Sequence, residues 1–202
     1  MTFHTTDSYR ARTATPEQTK ALGAALAPAL RAGDVVLLTG DLGAGKTQFV
    51  QGVAAAFGID EAVVSPTFNI VLSYEGGRLP LYHFDLYRLD DASELDDIDF
   101  YGIVEGDGAS FIEWGDRFDD LVDDGMTVAF SVEADGARTL TARPLGSRGA
   151  ELARAWSDAA MGLQVTGGSD AAGEPHVPDD PSTSEELHAG GGSHAASASR
   201  AE

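Results

Sequence analysis

Cysteine is absent from the 202 residues, which removes disulfides, thiolate metal sites and cysteine nucleophiles together. Lysine is nearly absent: Lys20 and Lys46 are the whole supply, and 13 basic residues face 33 acidic ones for a net charge of -20. Binding RNA, DNA or an acidic membrane rests on Lys and Arg neutralising phosphates, so this balance argues against the chain doing so by itself. No apolar run approaches the roughly 20 residues needed to span a bilayer. The opening "MTFHTTDSYR" lacks a basic region followed by an apolar core, so it does not read as a secretory signal and a cytoplasmic location is expected. Arg in excess of Lys, with abundant Ala, Gly and Asp, fits a high-GC coding bias; halophilic adaptation is the alternative reading of the acidity.

Apolar residues also run out near the C-terminus. The stretch from Thr166 is rich in Gly, Ser, Ala, Pro and Asp, and is expected to be disordered because it has almost nothing to bury. Residues 1–163 are therefore read as one domain and 164–202 as an acidic low-complexity tail. His176, His188 and His194 lie in that tail, too widely spaced to favour a metal site over solvated side chains. The tail from Thr166 holds seven acids and one Arg, leaving 26 acids against 12 bases before it, so the body is acidic too.

Within that body, "TPEQTKALGAALAPAL" predicts an opening helix with Thr15 as N-cap, Pro16 in the first turn, and Leu22, Leu26 and Leu30 on one face. "DVVLLTG" is a short, continuously apolar run of the kind buried in a parallel sheet. "KTQFVQGVAAAFG" predicts a helix ending at Gly58. Two extended runs around Glu75-Gly76-Gly77 predict a hairpin, and "MTVAFSVEADGARTLTARPLG" a second one turning at Asp135-Gly136. "ASELDDIDFYG" reads as a short helix from near Ser93, "ASFIEWGDRF" as a strand ending at Glu113 with a helical turn after it, and "SRGAELARAWSDAAM" as a closing helix. The predicted class is α/β, a P-loop NTPase-like mixed sheet with a parallel core, flanking helices and added β-hairpins.

Between the first strand and the second helix lies "GDLGAGKT", with the spacing G-x-x-x-x-G-K-T. Its eight residues, Gly40, Asp41, Leu42, Gly43, Ala44, Gly45, Lys46 and Thr47, are the candidate phosphate cradle. Glycines let a phosphate approach main-chain N–H groups, and the following helix points its dipole at the same place. Lys46 is placed to reach β- and γ-phosphate oxygens and Thr47 to coordinate Mg²⁺. A magnesium ion wants a carboxylate nearby, and two acids end apolar runs: Asp85 in "LPLYHFD" and Glu113 in "ASFIE". One is expected to hold the metal and the other to orient an attacking water, against the plain reading of acids facing solvent at strand ends. "SPTF", from Ser65, could be a switch that senses the γ-phosphate or a simple turn. His83 reads as a base or as a histidine packed at a strand end. Arg88 and Arg117 read as transition-state cations or as partners of surface acids. Neither lysine sits in an N-K-x-D or T-K-x-D stretch, so guanine recognition by that route is excluded and ATP becomes the default.

Taken together, "GDLGAGKT", "SPTF", "HFDLYRL" and "IEW" resemble, in that order and spacing, the bacterial TsaE family (older name YjeE). The likeness runs from about Thr15 to Arg143. It implies the small ATPase needed to make N6-threonylcarbamoyladenosine on tRNAs, resetting the complex between turnovers. It makes Gly40 to Thr47 the ATP site and Thr47 with Glu113 the Mg²⁺ ligands. Asp85 becomes an acid needed for hydrolysis, with Lys46 and Thr67 beside it as catalytic candidates and Ser65 in the switch segment. Trp114 would sit beside the metal, near a docked partner. The implied partners are TsaD, which transfers the threonylcarbamoyl group, and TsaB, its inactive homologue; tRNA would be reached only through them, and no membrane is involved. Gln48 departs from the family, where many relatives carry a second Thr. A small-molecule kinase and a non-hydrolysing nucleotide-binding adaptor are the rival readings. The first would need an arginine-rich lid, which no segment supplies, and the second would not need both acids.

Overall fold

The structure is a computed structural model and describes residues 8–163. The expectations for the tail, 164–202, fall outside the described residues.

Helix α1, Pro16–Leu26, begins where the sequence puts it. Thr15 Oγ1 accepts the Gln18 N–H at 3.3 Å, and Gln18 reaches back to accept the Ala14 N–H at 2.6 Å. Pro16 occupies the first turn, where its missing N–H would have had no partner anyway. A 3₁₀ turn at Ala27–Ala29 follows, because Pro28 cannot continue the α-helical ladder. Strand β2, Val35–Thr39, then leads through the glycine loop to α2, Lys46–Phe57, which ends on left-handed Gly58. The two helices lie in close contact: a Cβ on Gly23 would sit 2.0 Å from Phe49 O and one on Gly52 1.9 Å from Lys20 O. Only glycine fits at these crossings.

Strands β3, Val71–Tyr74, and β4, Leu81–Asp85, form the first hairpin, and β6, Gly125–Val132, with β7, Arg138–Leu145, the second. Between them come α3, Glu94–Asp97, α4, Phe100–Val104, and β5, Ala109–Glu113. The expected single acidic helix is therefore two short ones, broken at Asp99, whose φ of 52° cannot continue an α-helix. The closing helix α5 spans Gly146–Met161. Its own N-cap, Leu145, offers no side-chain acceptor, so Asp124 supplies one: its carboxylate accepts the N–H groups of Arg148 and Gly149 at 3.2 and 3.0 Å. Arg148 in turn grips buried Asp34 at the foot of β2 with bonds of 2.8 and 2.7 Å.

One strand has no counterpart in the sequence reading. Strand β1, Tyr9–Thr13, runs antiparallel to β7 at the sheet edge. Its sequence, YRART, carries two arginines and becomes a strand because Ala11 and Thr13 turn inward once β7 is there to pair. The seven-stranded order is β1-β7-β6-β2-β5-β4-β3, with β6, β2, β5 and β4 mutually parallel. One face packs on α1, α2 and α5 through Leu22, Phe49, Phe111, Val128 and Trp156. The other packs on α3 and α4 through Phe84, Ile112, Leu95 and Phe100. The parallel core aligns the strand ends: Leu38 pairs with Glu113, and Glu113 with Asp85. Ligands in open α/β sheets bind outside such carboxyl ends.

Candidate functional site

The glycine loop leaves β2 at Gly40, with a φ of 124°. A Cβ there would lie 2.3 Å from the Phe130 carbonyl oxygen of β6, so a side chain at this point would push the loop off the sheet. Gly45, at φ 111°, caps α2 without any side-chain hydrogen bond. Among the described residues the first-turn N–H groups of α2 thus have no capping side chain, an arrangement that suits an anion. Lys46 folds back onto its own loop. Its Nζ donates to Gly40 O at 2.7 Å and Asp41 O at 3.1 Å and stands 4.6 Å above the Trp114 ring.

Thr47, one residue on, donates from Oγ1 to Glu113 Oε1 at 3.0 Å. Glu113 ends β5, is almost fully buried, and holds Oε2 3.8 Å from Lys46 Nζ. A hydroxyl and a carboxylate in contact, beside a lysine, are hard oxygen donors of the kind magnesium takes. The same Oε1 lies 3.0 Å from His83 Nε2, and His83 is entirely buried. The strand alternation of "LYHFD" puts His83 and Asp85 on one face, which was the available signal for this contact.

On the neighbouring strand end, Asp85 gathers the "SPTF" segment. Its Oδ2 accepts from Thr67 Oγ1 at 2.6 Å and from Ser65 Oγ at 3.4 Å, while Oδ1 accepts the Tyr87 N–H at 3.1 Å. The segment closes tightly, with Asn69 and Ile70 N–H groups both on Pro66 O at 2.8 and 2.7 Å. Ile70 sits at φ 66°, a strained place for a β-branched residue. Phe68 is 87% exposed and Leu42, at the loop tip, 91%. Trp114, itself at φ 62°, packs against Tyr87 at 5.3 Å between ring centres.

The structure therefore brings Lys46, Thr47 and Glu113 into one cluster, and Asp85, Ser65 and Thr67 into another on the adjacent strand. Arg117 is not on the phosphate loop: it donates to the carbonyls of Leu86 and Tyr87 and braces the turn after β4. Arg88 is exposed. The sequence missed the two contacts that cross the chain, His83 on Glu113 and Lys46 over Trp114. Among the described residues no helix is long and apolar enough to cross a membrane.

A strand, glycine loop and helix at the centre of a mixed sheet, with acid-bearing strands ending beside the loop, define a P-loop NTPase-like α/β protein. The sequence model of the family described as "Threonylcarbamoyl adenosine biosynthesis protein TsaE" matches residues 13–140, and the chain belongs to that family. It is 41% identical over 138 residues to the tRNA threonylcarbamoyladenosine biosynthesis protein TsaE of Bacillus subtilis, covering 68% of this chain and 86% of the relative. It is 42% identical to the protein of the same name from Treponema pallidum over 126 residues, 62% of this chain and 93% of that one. The crystal structure of Bacillus subtilis YdiB matches with a TM-score of 0.66 at 34% identity, covering 77% of this chain and 98% of YdiB.

Proposed function

We propose that the chain is a Mg²⁺-dependent ATPase serving tRNA N6-threonylcarbamoyladenosine biosynthesis, acting in the cytoplasm with TsaD and TsaB to let that pair turn over. The observation that carries the reading is the Thr47–Glu113 bond at 3.0 Å, next to the strand whose Asp85 holds Thr67 at 2.6 Å. Gly40 to Thr47 would cradle the phosphates, and Thr47 with Glu113 would hold the metal. Mg²⁺ supplies charge neutralisation on the phosphate oxygens when bound. Lys46 brings the loop's fixed cation to the same charge. Asp85 keeps the hydroxyls of Ser65 and Thr67 at the mouth of the site and is the residue assigned to orient the attacking water.

A protein partner fits the rim. Leu42, Phe68 and Tyr87 are exposed apolar side chains on the loop tip, the "SPTF" segment and the turn after β4. The acidic composition leaves tRNA to the partners. The kinase alternative loses support from Arg117, whose guanidinium is engaged by Leu86 and Tyr87 carbonyls. Steady-state phosphate release is the test, measured with and without the TsaB–TsaD pair and for Thr47→Ala and Glu113→Ala. Slow release that rises with the pair is expected, with both variants needing more Mg²⁺. Turnover indifferent to the pair, or normal hydrolysis by both variants at limiting Mg²⁺, overturns the reading.

A further inference from the structure

We propose that His83 is a positioning residue that holds Glu113 with one carboxylate oxygen saturated and the other presented to the metal site. The inference rests on the reading of Thr47 and Glu113 as the Mg²⁺ pair.

A carboxylate only accepts hydrogen bonds, so His83 Nε2 carries the proton in its 3.0 Å contact with Glu113 Oε1. Thr47 Oγ1 donates to that same oxygen at 3.0 Å. Oε1 is thereby occupied by two donors. Among the described residues, Oε2 has only Lys46 Nζ beside it, at 3.8 Å, which is beyond hydrogen-bond reach. Glutamate has three rotatable side-chain bonds, and without His83 only Thr47 restrains the carboxylate, which can then turn Oε2 onto Lys46, 3.8 Å away, and form a tight pair. That pair would take a ligand from the metal and a cation from the phosphates.

Packing does not explain the ring. His83 is 0% exposed on the face of β4 that meets the α1–α2 core, and its Nδ1 has no hydrogen-bond partner among the described residues. Burying a polar ring with half its capacity unmet is costly, and Leu or Phe would fill the place at lower cost. The bond to Glu113 is what the position obtains in return. Groups standing behind metal ligands typically change metal affinity 10- to 100-fold when removed.

The test measures ADP binding by calorimetry across a Mg²⁺ titration for wild type, His83→Leu, His83→Gln and the Glu113→Ala/His83→Leu pair. His83→Leu is expected to bind ADP somewhat more weakly than wild type without Mg²⁺, because Lys46 is drawn toward Glu113, and to need roughly 10-fold more Mg²⁺ for the metal-dependent gain. His83→Gln, which keeps an N–H donor, should recover most of that loss. In the Glu113→Ala background the His83 change should add nothing, since its effect runs through Glu113. An unchanged Mg²⁺ requirement in His83→Leu, or the same extra rise without Glu113, overturns the proposal. Should the Leu variant not fold, the wild-type His83 ring ¹⁵N–¹H signal decides. It should shift more on adding Mg²⁺ with ADP than on ADP alone, and no difference overturns the proposal. A wild type whose ADP binding ignores Mg²⁺ would instead sink the metal reading itself, and this inference with it.

Discussion

Replacing Asp85 with Ala removes the acceptor for three hydrogen bonds at once: Thr67 Oγ1 at 2.6 Å, Tyr87 N–H at 3.1 Å and Ser65 Oγ at 3.4 Å. Ser65 is exposed and turns to water at little cost. The other two are bonds to a carboxylate that is only 2% exposed, worth about 1.5 kcal/mol each, so about 3 kcal/mol is lost. The loss should fall on the segment those bonds hold. Ile70 at φ 66° is kept in its strained conformation by bonds from its N–H to Pro66 O and from Asp85 N–H to its own carbonyl, at 2.7 and 2.8 Å. Hydrogen exchange at Asn69 and Ile70 is the assay. About 3 kcal/mol corresponds to roughly a 100-fold faster opening. Asp85→Asn keeps one acceptor oxygen and should lose about half that free energy. ATP hydrolysis should collapse in Asp85→Ala while ATP binding through Lys46 persists. If protection at Asn69 and Ile70 is unchanged, Asp85 is not the clasp for this segment and the reasoning fails.

Lys46→Ala should abolish ATP binding seen by calorimetry, since it removes the loop's fixed cation; undiminished affinity would refute the phosphate site. Gly40→Ala should displace the loop, because its Cβ would meet Phe130 O at 2.3 Å and φ is 124°. A cost of about 2–4 kcal/mol is expected, read as a lower melting temperature together with weakened ATP binding, and a variant normal in both would contradict the geometry. Asp124→Ala should cost about 1 kcal/mol at neutral pH by uncapping α5. Burial raises the Asp124 pKa, but hydrogen bonds from Gly149, Arg148, Ser147 and Gly125 outweigh it and hold the group below the ordinary carboxylate range. Its stabilisation is therefore present above about pH 4 and is lost as pH falls through the depressed folded value. Wild type and variant should converge in acid, and a gap that persists there would speak against the assignment.

Much of the site was written locally. "GDLGAGKT" fixes its own chemistry because three glycines, a lysine and a threonine at set spacing need only a strand before and a helix after, and both have strong patterns of their own. The Thr15 cap, the Gly58 stop and the Asp135-Gly136 turn are likewise decided within a few residues. Strand β1 was not legible, since YRART has no apolar alternation strong enough to declare a strand without β7 beside it. The break at Asp99 was equally hidden: nothing in "ASELDDIDFYG" announces a left-handed residue between two short helices.

By itself, then, the sequence determined the class, the phosphate loop and the two acids at the ends of apolar runs, because each depends on short-range pattern. The residue pattern alone left open which acid stands beside Thr47, and only the family resemblance pointed to Glu113. The tertiary structure decided that through register: Glu113 lies level with Leu38 on the strand next to the loop, while Asp85 lies one strand further out and reaches Thr67 instead. It also decided that His83 meets Glu113 and that Lys46 lies over Trp114, contacts spanning 30 and 68 positions of the chain. Strand order is set by which faces the helices bury, a property of the assembled core that no single stretch of the chain contains.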